Sequence, residues 1–161
     1  SGHVHGTAAY DITSTGEPAG ARPHVWDAFK YESANYMQYL KSFILSEGKK
    51  YQDLILARQD VVPNKAPDSP PAGLDGWSYM MRTPEKDFAL LYFENQSELP
   101  VLRNFKPNSD YLFQWYNTLN GEWKSQTKIN SNSDGVIKLP AFPDGTVKSI
   151  KDWAAKIILE Q

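Results

Sequence analysis

Between residues 63 and 76 the chain carries Pro63, Pro67, Pro70, Pro71, Gly73 and Gly76, and this density constrains the fold more than any other feature. Each proline ring fixes φ and removes a backbone donor, and glycine weakens any element it interrupts, so neither a helix nor a central strand runs through such a stretch. The chain is therefore expected to divide into residues 1–62, a linker at 63–76, and residues 77–161. At 161 residues it has room for one ordinary domain, or a small domain with an appendage, but not for a complete eight-stranded α/β barrel.

The first piece opens as a loop. Residues 1–22 are rich in Gly, Thr, Ala and Pro, with turn signals at Ser14-Thr15-Gly16-Glu17-Pro18. From Val25 onward Trp26 and Phe29 stand three apart, and then Tyr36, Met37, Leu40, Phe43 and Ile44 recur at helical spacing with Gln38, Lys41 and Glu47 opposite. Ser33 or a neighbour is placed to cap this amphipathic helix, and Gly48 to end it in a left-handed conformation. The stripe of Met37, Leu40, Phe43 and Ile44 needs a cover. Burying each of these side chains stabilises by roughly 1.5–3 kcal/mol, so the stripe should pack on the rest of the fold or on another chain.

The second piece reads as short strands between turns. Trp77 to Arg82 alternates in polarity, whereas Phe88 to Phe93 is apolar on both sides, as a strand covered by two layers would be. Tyr111 to Tyr116 follows, with Asn120-Gly121 as a hairpin signal leading into Trp123. Ser133-Asp134-Gly135 precedes Val136 to Leu139, and Trp153 to Leu159 forms the last strand. Strands at this spacing predict a mainly-β fold: an antiparallel, immunoglobulin-like β-sandwich preceded by a loop and an amphipathic helix.

Charge and composition exclude several function classes. The formal net charge is -2, with 17 Lys and Arg scattered among 19 Asp and Glu, so no basic stripe invites nucleic acid or an anionic membrane. No apolar run is long enough for a membrane span, and the opening residues have no signal-peptide pattern. With no cysteine there is no disulfide framework and no thiolate chemistry. No metal or cofactor is expected.

The order of these signals resembles the end of apiosidase-like glycoside hydrolases, whose α/β barrel is followed by a small β domain carrying a collagen-binding label. The matching residues begin with Gly2-His3-Val4-His5-Gly6 and Tyr10-Asp11, then Trp26-Asp27-Ala28-Phe29 and Ser33 to Lys41. They continue through Phe88 to Phe93, Trp115-Tyr116-Asn117, Gly121-Glu122-Trp123, Phe142-Pro143-Asp144-Gly145 and Asp152-Trp153. The resemblance implies that residues 1–62 end with the last helix of a barrel, that the protein is periplasmic or extracellular, and that the loop around His3, His5 and Tyr10 lies at the barrel mouth in contact with substrate. It also implies that the catalytic acid and base lie elsewhere. Glycosidases need two carboxyl groups across the scissile bond, and barrel enzymes place them on the ends of several strands this chain does not contain. Catalytic residues are therefore expected to be none. Nothing in these residues points specifically to collagen.

Two other features carry a choice of readings. On an extended segment His3 and His5 project to one side, which suits a metal, a sugar or simply a polar loop, and no third metal ligand is evident. Among Trp77, Tyr79, Trp115, Tyr116, Trp123 and Trp153, burial logic assigns most rings to the core. Trp123, next to a turn and flanked by Glu122 and Lys124, is the ring expected to be exposed and available for sugar stacking. The leading functional expectation is a non-catalytic C-terminal portion of a polysaccharide- or glycoside-degrading hydrolase, partnered by the remainder of its own barrel or by a self-associating copy. The alternative is a free-standing carbohydrate-binding or adhesion module.

Overall fold

The computed structural model describes residues 32–65 and 75–160. His3, His5, Tyr10, Trp26, Phe29 and the interior of the Pro- and Gly-rich segment lie outside the described residues. Among the described residues one α-helix, α1, spans Glu32–Ile44; Gly48 takes a left-handed φ of 62°, but it lies four residues past the helix and opens the 3-10 turn Gly48–Asp53. Ten short strands follow: β1 Ile55–Leu56, β2 Val61–Val62, β3 Ser78–Arg82, β4 Phe88–Phe93, β5 Val101–Leu102, β6 Asp110–Asn117, β7 Glu122–Trp123, β8 Thr127–Asn130, β9 Ile137–Lys138 and β10 Trp153–Leu159.

The strands make two antiparallel sheets. The larger runs β1-β3-β4-β10-β6-β7, with β8 also paired to β6, and the smaller runs β2-β5-β9. Ile55–Leu56 and Val61–Val62 precede the Pro- and Gly-rich segment yet join different sheets, and β1 pairs with β3 from beyond that segment. Residues 55–62 thus contribute to the sandwich, although no helical or strand periodicity announces them.

The inner faces of the sheets share one core. Met80, Leu91, Phe93, Phe113, Trp115, Trp153 and Ile157 from the larger sheet pack with Val61, Leu102 and Ile137 from the smaller, and Phe105 and Phe142 close the ends. The packing is specific as well as apolar. Trp115 lies edge-on to Phe93 and Phe113, at centroid distances of 5.4 and 4.9 Å, an arrangement that matches ring edges to ring faces. Its indole N–H donates to the Ala141 carbonyl at 3.1 Å, so the one polar atom of the side chain is satisfied inside the core. Ala155 pairs in register with Trp115, and its small side chain leaves room for the indole.

The buried Arg82 at the end of β3 needs its own partners. Its guanidinium meets Asp60 at 3.1 Å, donates to the Arg103 carbonyl at 3.2 Å and lies 5.3 Å from the Phe105 ring centroid. The 3-10 turn Arg58–Asp60, between β1 and β2, is thereby tied to both sheets.

Candidate functional site

The outer face of the larger sheet is read from its register. One row across the strands is Tyr79, Tyr92, Ala154, Tyr116 and Trp123, and the next is Leu56, Met81, Leu90, Lys156 and Gln114. An antiparallel sheet that faced water on this side would carry polar residues here. Instead the rows are largely apolar, and α1 covers only part of them.

The covered part lies over β4, β10 and β6. Phe43 of α1 is buried with Phe88, Leu90, Tyr116 and Ala154, and Tyr39, Ile44 and Trp123 pack around them. The Tyr116 hydroxyl donates to the Tyr39 carbonyl at 2.8 Å and shares a 2.7 Å hydrogen bond with the Ser42 hydroxyl, which pins the helix to the sheet at that turn. Lys156, on the sheet beneath, meets Glu47 just past the helix at 2.7 Å. The double-sided apolar pattern of Phe88 to Phe93 thus has its cause: the sandwich core lies on one side and the helix on the other.

Trp123 belongs to this covered part. It is half-buried rather than open, with Phe43 at 5.8 Å and Tyr116 at 4.6 Å between centroids, and the Lys156 ammonium lies 4.5 Å from its ring centre. The flanking turn and charges suggested exposure, but they lie at the edge of the helix docking site and could not reveal what crosses over them.

The uncovered part forms a groove of about 490 Å³ between α1 and the β3–β4 side of the sheet. Tyr36, Met37 and Leu40 line it from the helix, and Tyr79, Met81 and Tyr92 from the sheet. These six side chains are all exposed, with Tyr79 at 41% and Met81 at 39%. The patch continues to the sheet edge, where Leu56, in register with Met81, is 77% exposed. Met80, on the same strand, points into the core together with Ser78 and Arg82, so Tyr79, which burial logic assigns to the core, lies instead on the outer face.

Two tyrosines at the rim are held in place by carboxylates. The Tyr79 and Tyr92 rings are cross-strand neighbours 6.4 Å apart. The Tyr92 hydroxyl donates to Asp152 at 2.5 Å, and the Tyr79 hydroxyl to Glu94 at 3.3 Å. Burial and the adjoining Asp152 push the Tyr92 hydroxyl well above its ordinary pKa, and burial with Glu94 raises Tyr79 in the same direction. Both phenols therefore remain neutral donors at any working pH.

The other well-held carboxylates serve turns. The Asp87 carboxyl lies below its ordinary pKa, chiefly because it accepts the Thr83 hydroxyl at 2.6 Å. Burial works to raise the Asp144 carboxyl, but hydrogen bonds from the Ile150 N–H and the Thr146 hydroxyl outweigh it and hold the group low. Both shifts run opposite to what a general acid needs. Among the described residues no cluster of three or more His, Cys, Asp or Glu side chains is placed to hold a metal ion, and no helix is long and apolar enough to cross a membrane.

The fold and the groove together define a mainly-β antiparallel sandwich with a helix docked on half of its outer face. No family model matches the chain, and no curated protein matches it. Among solved structures, the fold is shared with one described as a glycoside hydrolase, at a TM-score of 0.59 and 18% identity, over 91% of this chain and 29% of that one. It is also shared with a glycoside hydrolase family 5 structure from Bacteroides vulgatus, at a TM-score of 0.54 and 16% identity, over 86% of this chain and 27% of that one. The chain spans less than a third of the length of either structure.

Proposed function

We propose that this chain is the non-catalytic C-terminal portion of a glycoside- or polysaccharide-degrading hydrolase, and that it braces or caps the catalytic barrel. The observation that carries this reading is the coverage: nearly all of this chain matches less than a third of each of two glycoside hydrolases. In this reading His3, His5 and Tyr10 contact substrate at the barrel mouth, and the protein works in the periplasm or outside the cell. The test compares this chain with the complete gene product on a panel of aryl glycosides and polysaccharides. The chain alone is expected to release no sugar and the complete product to be active; hydrolysis by the chain alone overturns the proposal.

One observation favours a second reading, a carbohydrate-binding module. Tyr79 and Tyr92 present two adjacent exposed rings whose hydroxyls are fixed by carboxylates, and aromatic faces stack on the apolar faces of sugar rings. Retardation of the chain in polysaccharide-containing gels, abolished by Tyr79→Ala and Tyr92→Ala, would select this reading over the first.

A further inference from the structure

We propose that the uncovered half of the outer sheet face, together with the open side of α1, is the surface on which the hydrolase's catalytic body docks. This rests on the reading of the chain as part of such an enzyme, and it names the surface and the chemistry of its occupant.

The first argument is that the apolar face is continuous but its cover is not. Helix α1 buries Leu90, Ala154 and Tyr116, yet the same two rows run on through Met81 and Leu56 and through Tyr92 and Tyr79, which no described residue covers. The apolar stripe on α1 is likewise wider than the sheet it meets. Phe43 is buried while Tyr36, Met37 and Leu40 remain open, so the helix has one apolar side docked and another free. Single exposed hydrophobic residues are ordinary, but a contiguous patch spanning a helix and a sheet marks an interface.

The second argument concerns the occupant. Leu56, Met81, Met37 and Leu40 make an aliphatic and thioether surface among the rings of Tyr36, Tyr79 and Tyr92, and the hydroxyls of Tyr92 and Tyr79 are already engaged by Asp152 and Glu94. Such a lining suits the apolar surface of a protein, since flexible thioether and aliphatic side chains fit irregular packing partners. The open residues of α1, Tyr36, Met37 and Leu40, lie in its middle, ahead of the docked Phe43. In both neighbouring glycoside hydrolases more than two thirds of the chain lies outside the shared fold, which supplies a body of sufficient size.

The three methionines of the chain provide the test, because Met37 and Met81 lie on the proposed surface while Met80 points into the core. Dilute peroxide oxidises exposed methionines preferentially, and mass spectrometry reads each site separately. In the 161-residue chain, Met37 and Met81 should oxidise quickly and Met80 slowly. In the complete gene product, both exposed sites should slow by about tenfold or more. Leu56→Asp in the complete product should restore fast oxidation of Met37 and Met81 and leave Met80 slow, which shows that the fold survives. Equal rates for Met37 and Met81 in both proteins would overturn the proposal. So would protection that appears in the 161-residue chain only at high concentration, which indicates a second copy, or only with added oligosaccharide, which indicates a sugar site. Glycosidase activity is measured on the same sample of complete product. Activity with unprotected methionines sinks the surface alone, and absent activity sinks the hydrolase reading beneath it.

Discussion

At the level of single residues, the helix docks where one position lacks a side chain. Gly121 takes a φ of +73°, and a Cβ built on it would lie 2.5 Å from Cδ1 of Tyr39. The glycine therefore serves the turn and the helix contact together. Gly145, at a φ of +75° with nothing within 4 Å of its virtual Cβ, separates these roles. Gly145→Ala should cost about 1 kcal/mol for left-handed strain alone, and Gly121→Ala about 2 kcal/mol or more because Tyr39 must also move. Urea titration of the two variants checks the difference, and equal costs would mean that Tyr39 adjusts freely. Asp144 supports a pH prediction. Its folded pKa lies below the ordinary 3.8, so its stabilisation is complete above that pH and is lost as pH falls through the depressed native value. Asp144→Asn should lower the melting temperature by about 3 °C at pH 7, the equivalent of roughly 1 kcal/mol, and the gap to the parent should close as pH falls from about 4 to 2. Calorimetry across that range measures it.

At the level of elements, α1 is stable only because it is docked. A 13-residue helix is marginal alone in water, and Phe43 is the large side chain by which it is anchored in the packed interior. Phe43→Ala should remove about 3–4 kcal/mol of packing, enough to melt the helix while the sandwich persists. Far-UV dichroism should lose its helical component, and the fluorescence of Trp123, which loses its stacking partner, should change; a retained helix signal would refute the dependence. Much of this organisation was legible in the residues. The helix followed from a 3.6-residue stripe, Phe88 to Phe93 from a run without polar positions, and Trp153 to Leu159 from its β-branched and apolar content. Other elements were illegible because they are too short to show a period. Val101–Leu102, Ile55–Leu56 and Val61–Val62 are two residues each, and β8, with Lys128 and Thr127 open to solvent, has Ile129 as its one apolar residue, too few to show a period. The groove was hidden for another reason: Tyr79 and Met81 alternate with polar Ser78 and Arg82, a pattern that reads as an inward apolar face, whereas the structure buries Ser78, Met80 and Arg82 and leaves Tyr79 and Met81 outside.

At the level of the whole molecule, the order in which the chain completes its larger sheet decides how it can fold. The last strand in sequence, β10, lies at the centre of that sheet, paired along its length with β4 on one side and β6 on the other. Until Trp153 to Leu159 are in place, β4 and β6 have no common neighbour, and the core has neither Trp153, Ala155 nor Ile157. The sandwich therefore cannot form progressively from its N-terminal end, and long-range pairing makes its folding slow compared with a helical bundle. Two truncations should behave in opposite ways. A chain ending at Asp152 leaves Phe93, Phe113 and Trp115 without their central strand and should show flat near-UV dichroism with no cooperative melt. A chain beginning at Leu45 keeps every described strand and loses the helix with the residues before it; it should melt cooperatively at a lower temperature and bind an apolar dye through the uncovered Phe88, Leu90 and Tyr116. A sigmoidal melt from the first truncation would mean that the remaining strands pair without β10, and that the sandwich is built around a different centre from the one its register assigns.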